Sequence, residues 1–223
     1  MKIVKKKELS LKDLELLKRE IEVLKVCQHP NICKMYDVFE NESRIFIVME
    51  MLVGGDLFNY LQERNFVISE SRAQQIAHLI ATAIYYLHSF GIAHRDIKPE
   101  NILLKDKDED SEVKIVDFGL SKTFGHGETC NDPFGTLCYV APEILLGKQY
   151  DKTVDIWSFG VMVYLLLGRH LPFDSVDEKE IGNLTVKNEI SFNHEVWEPV
   201  SDEAKDLVQK LLDKNPKTRI KIS

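Results

Sequence analysis

This chain is short of positive charge. Its 29 Lys and Arg face 36 Asp and Glu, for a formal net charge of -7. That balance argues against nucleic acid, whose binding leans on Lys and Arg contacts to phosphate. Cysteine is sparse as well. Cys27, Cys33, Cys130 and Cys138 form no Cys-x-x-Cys pair, so neither a zinc site nor a disulfide framework is expected. They read as the reduced thiols of a cytoplasmic protein. No signal peptide is visible. The apolar run opened by Asp155 and closed by Gly168 is too short for the ~20 apolar residues of a membrane span. A buried core helix is expected there. Internal repeats and low-complexity linkers are missing. The 44% of hydrophobic residues among 223 suffices for a sizeable core.

Local chemistry places several elements. Ser10-Leu11-Lys12-Asp13 is a Ser-x-x-Asp variant of the capping box, which marks a helix start. Leu14, Leu17, Ile21 and Leu24 then recur at helical spacing, as on an amphipathic helix. Glu20 lies on it and, on the residues alone, reads as a solvated helix-face charge. Arg44 to Glu50 is rich in β-branched and aromatic residues and reads as a buried strand. Gly54-Gly55 then marks a turn. The acidic run Asp106 to Glu112 mimics the start of a calcium loop, with Asp106, Asp108 and Asp110 at alternate positions. Yet Ser111 stands where such a loop turns sharply on glycine. Val113 to Val116 behind it reads as a strand, so a polar hairpin tip is expected.

Three motifs carry the chemistry. His94-Arg95-Asp96-Ile97-Lys98-Pro99-Glu100-Asn101 gathers a carboxylate, an ammonium and a carboxamide in one short stretch. Asp117-Phe118-Gly119 follows, then Ala141-Pro142-Glu143. Each triplet alone is a weak signal and reads as well as a surface turn. In this order and spacing, the set resembles the catalytic half of the eukaryotic protein kinases.

That resemblance implies roles. Phosphoryl transfer needs positioning and charge neutralisation more than covalent catalysis. Asp96 would orient the substrate hydroxyl and accept its proton. Lys98 would offset charge on the phosphoryl group. Asn101 and Asp117 would supply the hard oxygen ligands that suit Mg²⁺. Met1-Lys2-Ile3-Val4 looks like the end of the family's Val-Ala-Ile-Lys strand, which makes Lys2 the lysine for the α- and β-phosphates of ATP. Glu20 would be its partner, with Glu22 the competing candidate. Met49 would be the gatekeeper, with backbone groups near Glu50 and Leu52 facing the adenine. Asp56 matches an acid that touches ribose or a basic substrate side chain, and Glu100 a second substrate-binding position. Asp155 would tie the catalytic loop structurally. Glu143 and Arg219 would form an ion pair.

The implied substrates are serine and threonine in proteins. Lys98, two residues after Asp96, and Gly135-Thr136 ahead of Ala-Pro-Glu both follow the serine/threonine pattern, with Thr136 bonding Asp96 and Lys98. The closer likeness is to the calmodulin-dependent and calcium-dependent group. Lys98-Pro99-Glu100-Asn101-Ile102-Leu103-Leu104, Gly135-Thr136-x-x-Tyr139-Val140-Ala141-Pro142-Glu143-Ile144-Leu145 and Trp157-Ser158-x-Gly160-Val161 all fit it. Calcium-dependent members carry a calcium-binding domain after the kinase domain, and none is present among these residues. Where many kinases place an activating phosphothreonine, this chain has Asp132, expected to pair with Arg95 unmodified. Thr129 is the rival phosphosite.

The family's Gly-x-Gly-x-x-Gly loop should precede Lys2 and is not among these residues, so a truncated domain is expected. The expected fold is α+β and bilobal. Residues 1–50 would form part of the small lobe, an antiparallel sheet remnant with one helix. Residues 51–223 would form a mainly helical large lobe. The expected function is ATP-dependent serine/threonine phosphorylation. The alternative is an inactive or pseudokinase-like fragment that serves as a binding module.

Overall fold

The structure, a computed structural model, describes residues 1–222. Strands β1 (Lys2–Lys5), β2 (Met35–Glu40) and β3 (Arg44–Met49) form an antiparallel sheet in the order β1-β3-β2. The β2–β3 turn is closed by Asn41, whose Oδ1 accepts the amides of Ser43 and Arg44 at 3.0 and 2.8 Å. Asparagine suits this task because its side chain mimics a backbone turn. Alternation along β3 turns Ile45 and Ile47 inward, as a period of two requires.

Helix α1 (Leu11–Val26) starts at the expected capping box. Ser10 Oγ accepts the Asp13 amide, and the Asp13 carboxylate accepts the Ser10 amide. Its Leu17 and Ile21 pack on Ile45 and Ile47 in a small core of their own. Its last turn, through Val23 and Leu24, joins the second and larger core. One helix therefore contributes to both cores.

The larger core is built on helices. They are α2 (Leu57–Gln62), α3 (Glu70–Ser89), α4 (Pro142–Leu145), α5 (Val154–Gly168), α6 (Glu178–Lys187) and α7 (Asp202–Leu211). Every residue of α5 except Leu167 is buried. Its apolar run is thus a core helix, and among the described residues no helix is long and apolar enough to cross a membrane. Short strands β4 (Ile92–Ala93) and β7 (Lys122–Thr123) pair, as do β5 (Ile102–Leu104) and β6 (Val113–Ile115).

The β5–β6 hairpin carries the acidic run at its tip. Ser111 Oγ accepts the Asp106 amide at 3.0 Å, and the Ser111 carbonyl accepts from Arg72 Nη2 at 2.8 Å. The end of β5, where this tip begins, packs hard against Gly54. A Cβ there would fall 1.9 Å from the Asp106 carbonyl oxygen, so this position excludes every other residue type.

Candidate active site

The loop from His94 to Asn101 leaves β4 and returns into β5, anchored from below by Asp155. Its Oδ2 accepts the His94 amide at 2.9 Å and its Oδ1 the Arg95 amide at 2.8 Å. His88 Nε2 lies 2.9 Å from Oδ2 as well. Burial alone would raise the Asp155 carboxyl, but His88, His94 and the Arg95 amide outweigh it and hold it below its ordinary value. The anchor therefore stays charged above about pH 4, the ordinary carboxylate range. Its stabilising contribution is lost only as pH falls through the lower folded value. His94 adds a second tie, with Nε2 3.0 Å from the Val116 carbonyl and Nδ1 accepting the Asp96 amide at 3.2 Å.

Three side chains converge on Asp96. Thr136 Oγ1 donates to Oδ1 at 3.0 Å. Lys98 Nζ lies 3.1 Å from Oδ2 and donates to Thr136 Oγ1 at 2.6 Å. Asn101 Nδ2 donates to both Oδ2 and the backbone carbonyl of Asp96, each at 2.8 Å. Committed in this way, the Asn101 amide has its Oδ1 left for a cation. Thr136 reaches Asp96 because Gly135 turns there at φ 101°, where a Cβ would come within 3.1 Å of the Arg95 carbonyl oxygen.

Asp117 follows β6 with φ 63°, a left-handed conformation that costs a non-glycine residue energy. Such strain clusters where a side chain must be aimed. Among the described residues its carboxylate accepts only the Gly119 amide, on Oδ1 at 3.2 Å, so most of its lone pairs are uncommitted. With Asn101 it offers two oxygen ligands. That suits Mg²⁺, which usually takes one or two protein carboxylates and fills its octahedron with water and phosphate oxygens.

Across the cleft, Lys2 Nζ lies 3.1 Å from both carboxylate oxygens of Glu20. Glu20 is buried and Glu22 exposed, so the solvated reading of Glu20 does not hold. Met49 ends β3 half-buried. Glu50 donates its amide to the Lys34 carbonyl at 2.8 Å and pairs its side chain with Lys114 Nζ, also at 2.8 Å. The Leu52 amide and the Glu50 carbonyl have no hydrogen-bond partner among the described residues, which leaves an acceptor and a donor side by side for a planar base.

A description of the protein kinase domain matches residues 1–223. The chain belongs to the protein kinase family. A probable myosin light chain kinase of Dictyostelium discoideum is 40% identical over 98% of this chain and 62% of its own length. Calcium-dependent protein kinase 5 of Plasmodium falciparum is 42% identical over 100% of the chain and 38% of its own. Calcium-dependent protein kinase 11 of Oryza sativa subsp. japonica is 41% identical over 98% and 38%. The chain thus spans between 38% and 62% of these relatives' length.

In this chain the expected pairing of Asp132 with Arg95 does not occur. The Asp132 carboxylate is exposed and lies 3.9 Å from Lys122 Nζ. Arg95 Nε donates instead to the Leu120 carbonyl at 2.7 Å, and Nη1 to the Tyr150 hydroxyl at 3.1 Å. Its guanidinium carbon stacks 4.1 Å from the Phe134 ring centre. Exposure decides the outcome: an exposed carboxylate stays with water and the outer cation, while a buried guanidinium takes fixed neutral acceptors. Thr129 is exposed and donates to Gln149 Oε1 at 2.8 Å.

Asp56 caps α2, its two oxygens taken by the Asn59 amide and side chain at 2.8 and 2.5 Å. Glu100 is exposed beside the Thr136 segment, close enough to act on Cys138 and Tyr139. Glu143 and Arg219 meet two-pronged, at 2.7 and 2.9 Å, both buried. Arg219 also donates to the Thr153 and Asp213 carbonyls, so its charge is well partnered. Two groups escaped the sequence reading, Tyr150 and Lys114. Neither lies in a motif, and Lys114 showed only as the one charge inside an apolar strand. All four cysteines are free, and burial pushes the Cys27 and Cys33 thiols to about 11.

Proposed function

We propose that this protein carries the γ-phosphoryl group of ATP to serine or threonine hydroxyls in protein substrates. The convergence of Lys98, Thr136 and Asn101 on the Asp96 carboxylate carries the reading. A general base works when it is fixed within reach of the proton it takes, and three donors fix this one. Asp96 orients the incoming hydroxyl and accepts its proton. Lys98 places an ammonium where charge spreads over the phosphoryl oxygens. Thr136 sets the distance between the two. Asn101 and Asp117 would hold Mg²⁺, which neutralises phosphate charge when bound. Lys2, held straight by Glu20, reaches the other phosphates.

Removing a carboxylate ligand weakens a hard-cation site. Asp117→Ala therefore lowers the affinity for Mg-nucleotide while metal-free nucleotide binds as before. Calorimetric titration with and without Mg²⁺ reads this directly, and equal Mg-nucleotide affinity in the two proteins would remove Asp117 from the metal site.

Substrate choice follows from the acids near the acceptor site. Asp56 spends its oxygens on a helix cap, so exposed Glu100 is the stronger electrostatic partner for a peptide. A peptide array is expected to favour Arg or Lys a few residues before the acceptor. Glu100→Lys flattens that preference. An array favouring acidic or proline-directed sites contradicts it.

A further inference from the structure

We propose that Tyr150 is a positioning residue that clamps the activation segment to the catalytic loop through Arg95, in place of an added phosphate. The proposal rests on the phosphoryl-transfer reading above.

Tyr150 lies between α4 and α5 and is 3% exposed. It grips the segment at three points. Its amide and carbonyl exchange hydrogen bonds with those of Cys130 at 2.8 and 2.9 Å. Its hydroxyl donates to the Asp132 carbonyl at 2.8 Å. Its ring meets Phe124 edge-on, 6.4 Å between centres. The hydroxyl then accepts from Arg95 Nη1, so one oxygen joins segment to catalytic loop.

Arg95 needs such a hold. Its backbone sits at φ 68°, a strained position that persists only where surroundings over-determine it. The next residue is Asp96, so the direction of the base depends on that strained backbone staying put. Every group on the guanidinium is neutral: the Leu120 carbonyl, the Tyr150 hydroxyl and the Phe134 face. Among the described residues no carboxylate pairs with it. The usual anionic partner is thus replaced by two oriented dipoles and a ring face, all worth more when buried. Burial raises the Tyr150 phenol to about 12, so the hydroxyl keeps its proton over the physiological range. A phosphate, by contrast, changes charge near pH 6. The clamp should therefore hold alike across about pH 6 to 9.

Tyr150→Phe in the full chain keeps the ring and removes one oxygen. We expect kcat to fall about tenfold, the scale of one hydrogen bond to a charged group. KM for ATP should stay within about twofold, since the nucleotide is held from other elements. Combined with Arg95→Met, the variant should lose no more than Arg95→Met alone, because both remove the same link. Losses that multiply, or an unchanged kcat in Tyr150→Phe, overturn the proposal. Wild-type protein freed of phosphate should keep its turnover; dependence on phosphate at Thr129 also overturns it. Amide hydrogen exchange supplies a readout independent of turnover. Residues 130–135 should exchange faster in Tyr150→Phe while α5 stays protected, and equal exchange rejects the clamp. If wild-type protein transfers no phosphate at all, the functional reading fails, and exchange alone still decides whether the clamp exists.

Discussion

Asp96→Asn lowers turnover by about 10²–10⁴, the usual worth of a positioned general base. The amide has nearly the shape of the carboxylate and can still accept from Thr136 Oγ1. What it cannot do is take a proton. Nucleotide affinity should change little, because Lys2 and Asp117 are untouched and Asn101 keeps its bond to the backbone carbonyl of residue 96. The assay measures kcat and nucleotide affinity in parallel, at saturating peptide. A variant within about threefold of wild type would move the base to another residue.

Arg219→Ala should cost about 3–5 kcal/mol of stability, because Glu143 is left buried without a counter-charge. For a chain of this length, a kcal/mol lowers Tm by about 2–4 °C, so the midpoint should drop by roughly 6–20 °C. Replacing both partners, as Glu143→Met with Arg219→Met, should cost less than the single change, since no orphaned charge remains. Thermal and denaturant unfolding check both variants. A single mutant that melts within about 2 °C of wild type would mean that water reaches Glu143.

The parts of the fold legible in the sequence were those governed by neighbours in the chain. The Ser10–Asp13 box sets the start of α1 through contacts three residues apart. The missing glycine at Ser111 separated a hairpin tip from a calcium loop for the same local reason. The candidate catalytic set was legible because its residues lie in three short motifs whose order is informative. Glu20 needed the family likeness, since helical spacing alone cannot distinguish a buried carboxylate from a solvated one. Asp132 failed because spacing places a residue near Arg95 without saying which cation its carboxylate will meet. Lys122 lay nearer to solvent and took it. Tyr150 was invisible for a related cause. It stands 55 residues from Arg95, in a connection whose composition signals nothing, and only tertiary packing brings the two together.

The Glu143–Arg219 pair also has a consequence for how the protein is made. Its members are 76 residues apart. At ~5–20 residues per second, synthesis leaves Glu143 without its cation for roughly 4–15 seconds. During that interval the end of the activation segment cannot bury its carboxylate cheaply, so the segment and the loop it supports should settle late. A ribosome stalled before residue 219 would then present a nascent chain whose α1 and three-stranded sheet can form while the loop from His94 to Asn101 is still open to proteases.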